Sequence, residues 1–260
     1  MVRPRTPEAD GPSSIRLVAA NLWCWGWLLL ASAASLFLAP FWFLTGRIRG
    51  WSVARTAREG TWHYARLYLR LIEPFVPLRV SGTELVRPGS PAIVAANHQS
   101  WLDLYLMSRI EDHNICVLVR AWPFRRLFFF GPLMRLADYI ETEGTGAESI
   151  LKQAGKELGA GAVLLGFPEG TRSRDGRLGR FHSGIFKLAT ELNSPVAPMI
   201  IKGSGRVMPK GSFVFRPGPI ELEMGPRLDP GLFAGEAIPH GALRRQVRRR
   251  FLSALDQGRK

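Results

Sequence analysis

From Leu17 to Leu44 the chain carries no charged residue, and nothing else in its 260 residues restricts the fold as strongly. As one helix this stretch is about 42 Å long, against a bilayer hydrocarbon thickness of about 30 Å, so a single tilted span fits. A hairpin competes with it. The small residues Ala31-Ser32-Ala33-Ala34-Ser35 divide the stretch into two apolar pieces suited to a re-entrant or interfacial pair of helices. Arg3, Arg5 and Arg16 precede the stretch, and Arg47, Arg49, Arg55 and Arg58 follow it. Like charge at both ends favours the hairpin, with both ends on the cytoplasmic side. Ala31-Ser32-Ala33 also resembles a signal-peptide cleavage site, but apolar character resumes at Leu36 and runs through Leu44, which favours a retained anchor.

Residues 1–16 read as a mobile polar tail, 17–44 as the membrane anchor, 45–77 as an interfacial helix and linker, and 78–260 as the main domain. Val53 to Leu71 mixes Arg55, Arg58, Arg66 and Arg70 with Trp62, Tyr64, Leu67 and Tyr68, a pattern that suits an interfacial amphipathic helix or a helix packed on the core equally. Beyond Pro77, short β-rich runs at Ala92–Ala96, Ile115–Val119, Ala162–Phe167, Val196–Ile201 and Ile220–Met224 alternate with amphipathic helical stretches such as Ala147–Leu158 and the one after Gly184. The expected fold is α/β: a layered mixed sheet with helices on both faces, preceded by an N-terminal membrane-anchoring helical segment. Leu243, Val247, Phe251 and Leu255, four apart among five arginines, predict a basic closing helix. Between residues 121 and 136, Trp122, Phe124, Leu127 to Phe130, Leu133 and Met134 interleave with arginines, a mixture that fits a headgroup-facing surface, an acyl-chain wall or core packing.

The formal net charge of +14 implies a positive field that attracts nucleic acid, anionic headgroups or anionic metabolites without choosing among them. Cys24 and Cys116 lie in apolar surroundings without paired or metal-ligand spacing, so neither a disulfide framework nor a zinc site is expected.

Chemistry concentrates in two places. Ala92 to Ala96 runs directly into Asn97-His98, so the histidine emerges at the carboxyl end of a buried strand, where α/β sheets place ligands. Five residues on, Asp103 can fold back to one imidazole nitrogen, fixing the tautomer while the other faces substrate. The chain contains neither a Gly-x-Ser-x-Gly elbow nor an obvious catalytic cysteine, so a substrate hydroxyl is the natural nucleophile and His98 its general base. The second place is Gly166-Phe167-Pro168-Glu169-Gly170-Thr171-Arg172-Ser173, where loop amides and the Arg172 guanidinium suit a phosphate, and Glu169 suits either bracing that arginine or binding a glycerol hydroxyl.

Together the two segments resemble the paired motifs of the 1-acylglycerol-3-phosphate acyltransferase family. The resemblance runs from about residue 80 to 225 and continues through Gly184, Phe186, Lys187 and Ala189 to Val196-Ala197-Pro198-Met199-Ile200. It implies that His98 is the base and Asp103 its orienting partner, and it places Glu169, Gly170, Thr171 and Arg172 at the acceptor. One block departs from the family pattern: Ala137-Asp138-Tyr139-Ile140-Glu141-Thr142 lacks the arginine that contacts phosphate in the family, which opens the acceptor headgroup to other lysolipids, such as a lyso-aminolipid.

The expected reaction is acyl transfer from an acyl-CoA or acyl-carrier-protein thioester to a lysophospholipid hydroxyl, lysophosphatidate giving phosphatidate, with no bound cofactor and no metal. The expected partners are the lysolipid, the thioester donor and an anionic membrane surface, not nucleic acid. The domain is expected on the cytoplasmic side of the cell membrane. Lipid hydrolysis by the same His-Asp pair is a rival, distinguished by free fatty acid as product. A basic binding protein is another, but leaves both motifs without purpose.

Overall fold

The computed structural model describes residues 13–126 and 130–257. Residues 1–12 of the expected tail, with Arg3 and Arg5, lie outside the described residues, as do Leu127, Phe128 and Phe129.

Two long helices come first, α1 (Ser14–Ile48) and α2 (Val53–Ile72). The hairpin turn predicted at Ala31–Ser35 is not there: α1 stays helical through it, and the chain reverses instead at Arg49–Ser52, where Gly50 takes φ +69°. Alanine and serine cost a helix interior little, whereas a left-handed residue ends it. The two helices run antiparallel and are tied from Trp23 to Gly46 of α1. Trp23 Nε1 donates to the Leu71 carbonyl at 2.7 Å, Ser32 Oγ and Tyr64 OH are 2.8 Å apart, and Trp42 Nε1 donates to the Thr56 carbonyl at 2.9 Å. Gly46 meets the Thr56 side chain and Gly60 meets Trp42, contacts that leave no space for a Cβ. Asn21 also binds the main chain of Phe215 through both its amide atoms. Away from these contacts α1 exposes Leu22, Leu29, Leu36, Phe37, Phe41 and Leu44, and it is long and apolar enough to cross a membrane.

A sheet follows, built from β1 (Leu78–Ser81), β2 (Ile93–Ala96), β3 (Ile115–Val119), β4 (Ile140–Glu141), β5 (Val163–Gly166), β6 (Val196–Lys202) and β7 (Ile220–Met224). Its order is β1-β7-β6-β2-β5-β3-β4; β6 and β7 pair antiparallel and every other pair is parallel. This is the mixed sheet expected. The five predicted strands form within a residue or so, while β1 and β4 are additional edge strands. Between the strands lie short helices α3 (Asp103–Leu106), α4 (Ala121–Arg126) and α5 (Phe130–Leu136), then α6 (Ala147–Gly159), α7 (Gly184–Glu191), the single turn α8 (Ser204–Val207) and the closing α9 (Pro239–Gln257).

The central strands are buried on both faces, so alternate residues feed two cores. Val94, Ala96, Val117 and Leu165 pack toward Trp62, Tyr68, Leu69 and Ile72 of α2 and Cys24 of α1. Ile93, Ala95, Cys116 and Leu164 pack toward α6, α7 and α9, where Leu243, Val247 and Phe251 are buried. Of the two packings open to α2, the structure adopts the core one: the layer over one sheet face begins ahead of residue 78. Even Arg58 of α2 is buried, its guanidinium donating to Glu157 Oε2 at 2.6 Å, Asn114 Oδ1 at 3.1 Å and the Ala137 carbonyl at 2.7 Å. In the aromatic stretch Phe124 and Met134 are buried while Trp122 and Phe130 stay exposed, a division between core and surface.

Candidate active site

β2 is central, between β5 and β6, and its carboxyl end opens into the turn that carries the histidine. Asn97 sits just past the strand, and its side chain takes over the ladder. Its Nδ2 donates to the Ile201 carbonyl at 2.8 Å and its Oδ1 accepts from the Ile201 amide at 2.7 Å. This pins the backbone one residue before His98. Asp103, at the start of α3, is fully buried, and one oxygen collects the whole turn. Oδ2 is 2.8 Å from His98 Nδ1 and accepts from the amides of Gln99 at 2.6 Å and Ser100 at 2.8 Å. With Nδ1 holding the proton toward that carboxylate, Nε2 carries the free lone pair. Ser100 Oγ donates to the Met208 carbonyl at 2.9 Å and accepts from the Leu102 amide at 3.2 Å, anchoring the turn to the loop after β6.

β5, the neighbour of β2, ends in Phe167-Pro168-Glu169-Gly170-Thr171-Arg172. The Phe167 ring stacks on His98 with centroids 4.0 Å apart. The two segments then interlock through the backbone: the Ser173 amide donates to the His98 carbonyl at 2.7 Å, and the His98 amide donates to Glu169 Oε1 at 2.9 Å. The other oxygen of Glu169 accepts from the Gly179 amide at 2.7 Å. Glu169 is thus buried and engaged at both oxygens. No hydrogen bond joins it to Arg172 among the described residues; its two bonds hold the main chain of His98 and of Gly179. Burial raises its carboxyl above the ordinary range, against the amide bonds from His98 and Gly179.

Arg172 lies over the Trp101 ring, 4.5 Å from its centroid, so the residue between Ser100 and Leu102 is a platform for the guanidinium. Its Nη1 is buried and, among the described residues, has no hydrogen-bond partner. Burial lowers its pKa while the Asp103 carboxylate opposes that shift. Gly170 takes φ +67° in the turn that brings Thr171 and Arg172 round. Lys210, which the sequence did not single out, donates from Nζ to Thr171 Oγ1 and to the Arg172 carbonyl, both at 2.8 Å. Burial, then Arg174 and Arg172, lower its pKa. Only the chain path joins residues 171 and 210, so no local pattern could have paired them.

At the end of β4 stands Thr142, exposed, where the family pattern has an arginine. Of the arginines nearby, Arg120 Nε donates to Glu143 Oε1 at 2.6 Å, and Arg125 lies 3.7 Å from Glu141. Arg172, Arg174 and Lys210 gather positive charge on the other loop.

Residues 77–202 match the family model described as Acyltransferase. The chain is 30% identical over 216 residues to the 1-acyl-sn-glycerol-3-phosphate acyltransferase of Pseudomonas aeruginosa, covering 82% of this chain and 77% of that one. It is 29% identical over 210 residues to the chloroplastic enzyme BAT2 of Brassica napus (80% of this chain, 61% of that one), and 33% over 143 residues to LPAT1 of Arabidopsis thaliana (54% and 40%). The chain therefore spans less than two thirds of the length of these two plant relatives. The crystal structure of PlsC, the 1-acyl-sn-glycerophosphate acyltransferase from Thermotoga maritima, shares the fold with a TM-score of 0.74 at 22% identity, covering 95% of this chain and 98% of that one. With the His98–Asp103 pair and the interlocked Phe167–Ser173 loop built on that fold, and with the Pseudomonas relative matched over most of its length, the chain belongs to the 1-acyl-sn-glycerol-3-phosphate acyltransferase family.

Proposed function

We propose that the protein transfers a fatty acyl group from an acyl-CoA or acyl-carrier-protein thioester to the free hydroxyl of a lysophospholipid, with lysophosphatidate the acceptor and phosphatidate the product. The observation that carries this reading is the buried Asp103 carboxylate 2.8 Å from His98 Nδ1, on a turn locked to the loop that carries Arg172 with its buried, unpartnered Nη1. His98 Nε2 takes the proton of the acceptor hydroxyl as its oxygen attacks the thioester carbonyl. Asp103 stabilises the imidazolium so formed. The tetrahedral intermediate then collapses, the carbon–sulfur bond breaks, and the departing thiolate takes the proton back from Nε2. No side chain is acylated. Arg172, held over Trp101, receives the acceptor phosphate, and Lys210 fixes the loop under it.

The missing arginine at Thr142 and the pairing of Arg120 with Glu143 favour an acceptor recognised from the Arg172 side alone. A lyso-aminolipid is the second acceptor class this supports. Both readings meet one experiment: purified protein with labelled acyl-CoA or acyl-carrier protein against a panel of lysolipids. Ester formed on lysophosphatidate is expected. Ester only on an uncharged or amino-lipid acceptor would replace the acceptor, and free fatty acid without ester would replace transferase by hydrolase.

We further infer that α1 lies within one leaflet on the cytoplasmic side rather than crossing the bilayer. From Trp23 to Gly46 it is bound to α2, which exposes Arg55, Arg66 and Arg70, and a crossing helix would carry those charges into hydrocarbon. An apolar outer face with a charged partner suits the headgroup boundary.

A further inference from the structure

A second cluster of chemically capable side chains lies away from His98. Glu59 and His63 are one turn apart on α2, and His113 precedes β3 by two residues. Because β3, β5 and β2 are parallel, His113 lies at the end of the sheet opposite His98. Glu59 Oε2 stands 3.0 Å from His113 Nδ1 and 3.9 Å from His63 Nε2, and the three donor atoms all lie within 4.8 Å of one another. We propose that Glu59, His63 and His113 form a binding site for a divalent transition-metal ion of the zinc type, which ties α2 to the segment entering β3.

Three observations support it. First, Glu59 is buried, only 6% exposed, and among the described residues its only ionic partners are the two imidazoles. The buried Glu157, by contrast, faces the fixed charge of Arg58. A buried carboxylate whose only ionic partners are two imidazoles has no fixed cation beside it, and a divalent ion supplies one. Second, the spacing fits. Ligands about 2.0 Å from a tetrahedral ion stand about 3.3 Å apart, a value the two measured separations bracket, and His63, half exposed, can close the longer one. Third, the rings are held in place. His113 stacks on Trp62 at 3.7 Å, and Trp42 of α1 meets His63 edge-on at 5.3 Å. Two imidazoles and a carboxylate, with the exposed side of His63 open to water, make the three-ligand set that leaves zinc a fourth position. Arg66 and Arg49 lie near His63 and oppose the ion's own charge.

The site connects three parts of the molecule, since Trp42 belongs to the anchor helix, Glu59 and His63 to α2, and His113 to the sheet layer. It stands independently of the acyl-transfer reading. The test uses untagged full-length protein in detergent, stripped with chelator and titrated with Zn²⁺ by calorimetry, with Co²⁺ as a visible-absorption probe and unfolding midpoints alongside. One equivalent is expected to bind, and the midpoint should rise with zinc concentration. Loss of an outer-shell partner costs a metal site about 10- to 100-fold, so loss of a ligand in His113→Ala or in the exposed His63→Ala should cost at least about 100-fold. His63→Ala keeps the test valid if His113→Ala unfolds, because its side chain is half in solvent. Absence of binding by the wild-type chain would overturn the proposal. So would equal binding by the His63→Ala/His113→Ala double variant, or loss of binding in His98→Ala alone, which would put the ion on the catalytic pair.

Discussion

The backbone amide of His98 donates to the side chain of Glu169 at 2.9 Å, so the second motif holds the histidine of the first by its main chain. Glu169→Gln keeps the shape but puts an NH₂ against one of two amides, and it is expected to lower kcat with little change in KM for the acceptor. The substitution also has a pH signature. Burial raises the folded pKa of Glu169, so its contribution to stability is present below the unfolded value and lost as pH rises through the folded one. Unfolding of the wild type should therefore lose stability from this group as pH rises from about 4.5, the ordinary glutamate value, toward neutrality, and Glu169→Gln should flatten that part of the curve. Chemical denaturation at a series of pH values checks it; an unchanged slope would assign the pH dependence to other groups.

His98→Ala is expected to lower acyl transfer by about 10² to 10⁴ in kcat, the usual worth of a general base, with folding intact. Asp103→Asn should be comparable in direction, and it carries a second cost. Its buried oxygen accepts from two backbone amides as well as from the ring, so it should also lower the unfolding midpoint, which His98→Ala should not. Single-turnover rates and thermal unfolding separate the two effects.

Arg172→Ala should raise KM for a phosphate-bearing lysolipid far more than for an uncharged acceptor. A hydrogen bond to a charged group is worth about 1.5 to 3 kcal/mol, or roughly 10- to 150-fold. Lys210→Ala should act more weakly and through the same parameter, because Lys210 holds the Thr171 hydroxyl and the Arg172 carbonyl in place. Equal effects of Arg172→Ala on both acceptors would remove phosphate recognition from this arginine.

The hairpin of α1 and α2 closes where Gly46 meets Thr56, whose hydroxyl is itself held by the Ser52 carbonyl at 2.9 Å. Gly46→Ala gains about 1 kcal/mol in helix propensity but forces a Cβ into that side chain, and overpacking of this kind costs about 1 to 3 kcal/mol. A net loss is expected, seen as a lower unfolding midpoint, and Gly46→Ala combined with Thr56→Ala should restore it. If the single variant is as stable as the wild type, the approach of the two helices is not set by this glycine.

What the linear sequence determined here is local: alternation and apolar runs place the five inner strands, because a parallel strand buried on both faces must be almost continuously hydrophobic. The strand-to-turn junction at Asn97-His98 and the five-residue step to Asp103 are local too, so the His98–Asp103 pairing was legible. Three features were decided only by tertiary structure. Ala31–Ser35 contains no residue that forbids helix, so where α1 ends depends on Gly50 and on its packing against α2. The partners of Glu169 are the amides of His98 and Gly179, the first of them 71 residues away, and a carboxylate bonded to backbone leaves no trace in composition. Lys210 joined the site, and Glu59, His63 and His113 came together, because crossovers bring distant segments side by side. No period or spacing encodes such contacts; they follow from the order in which the strands are laid in the sheet.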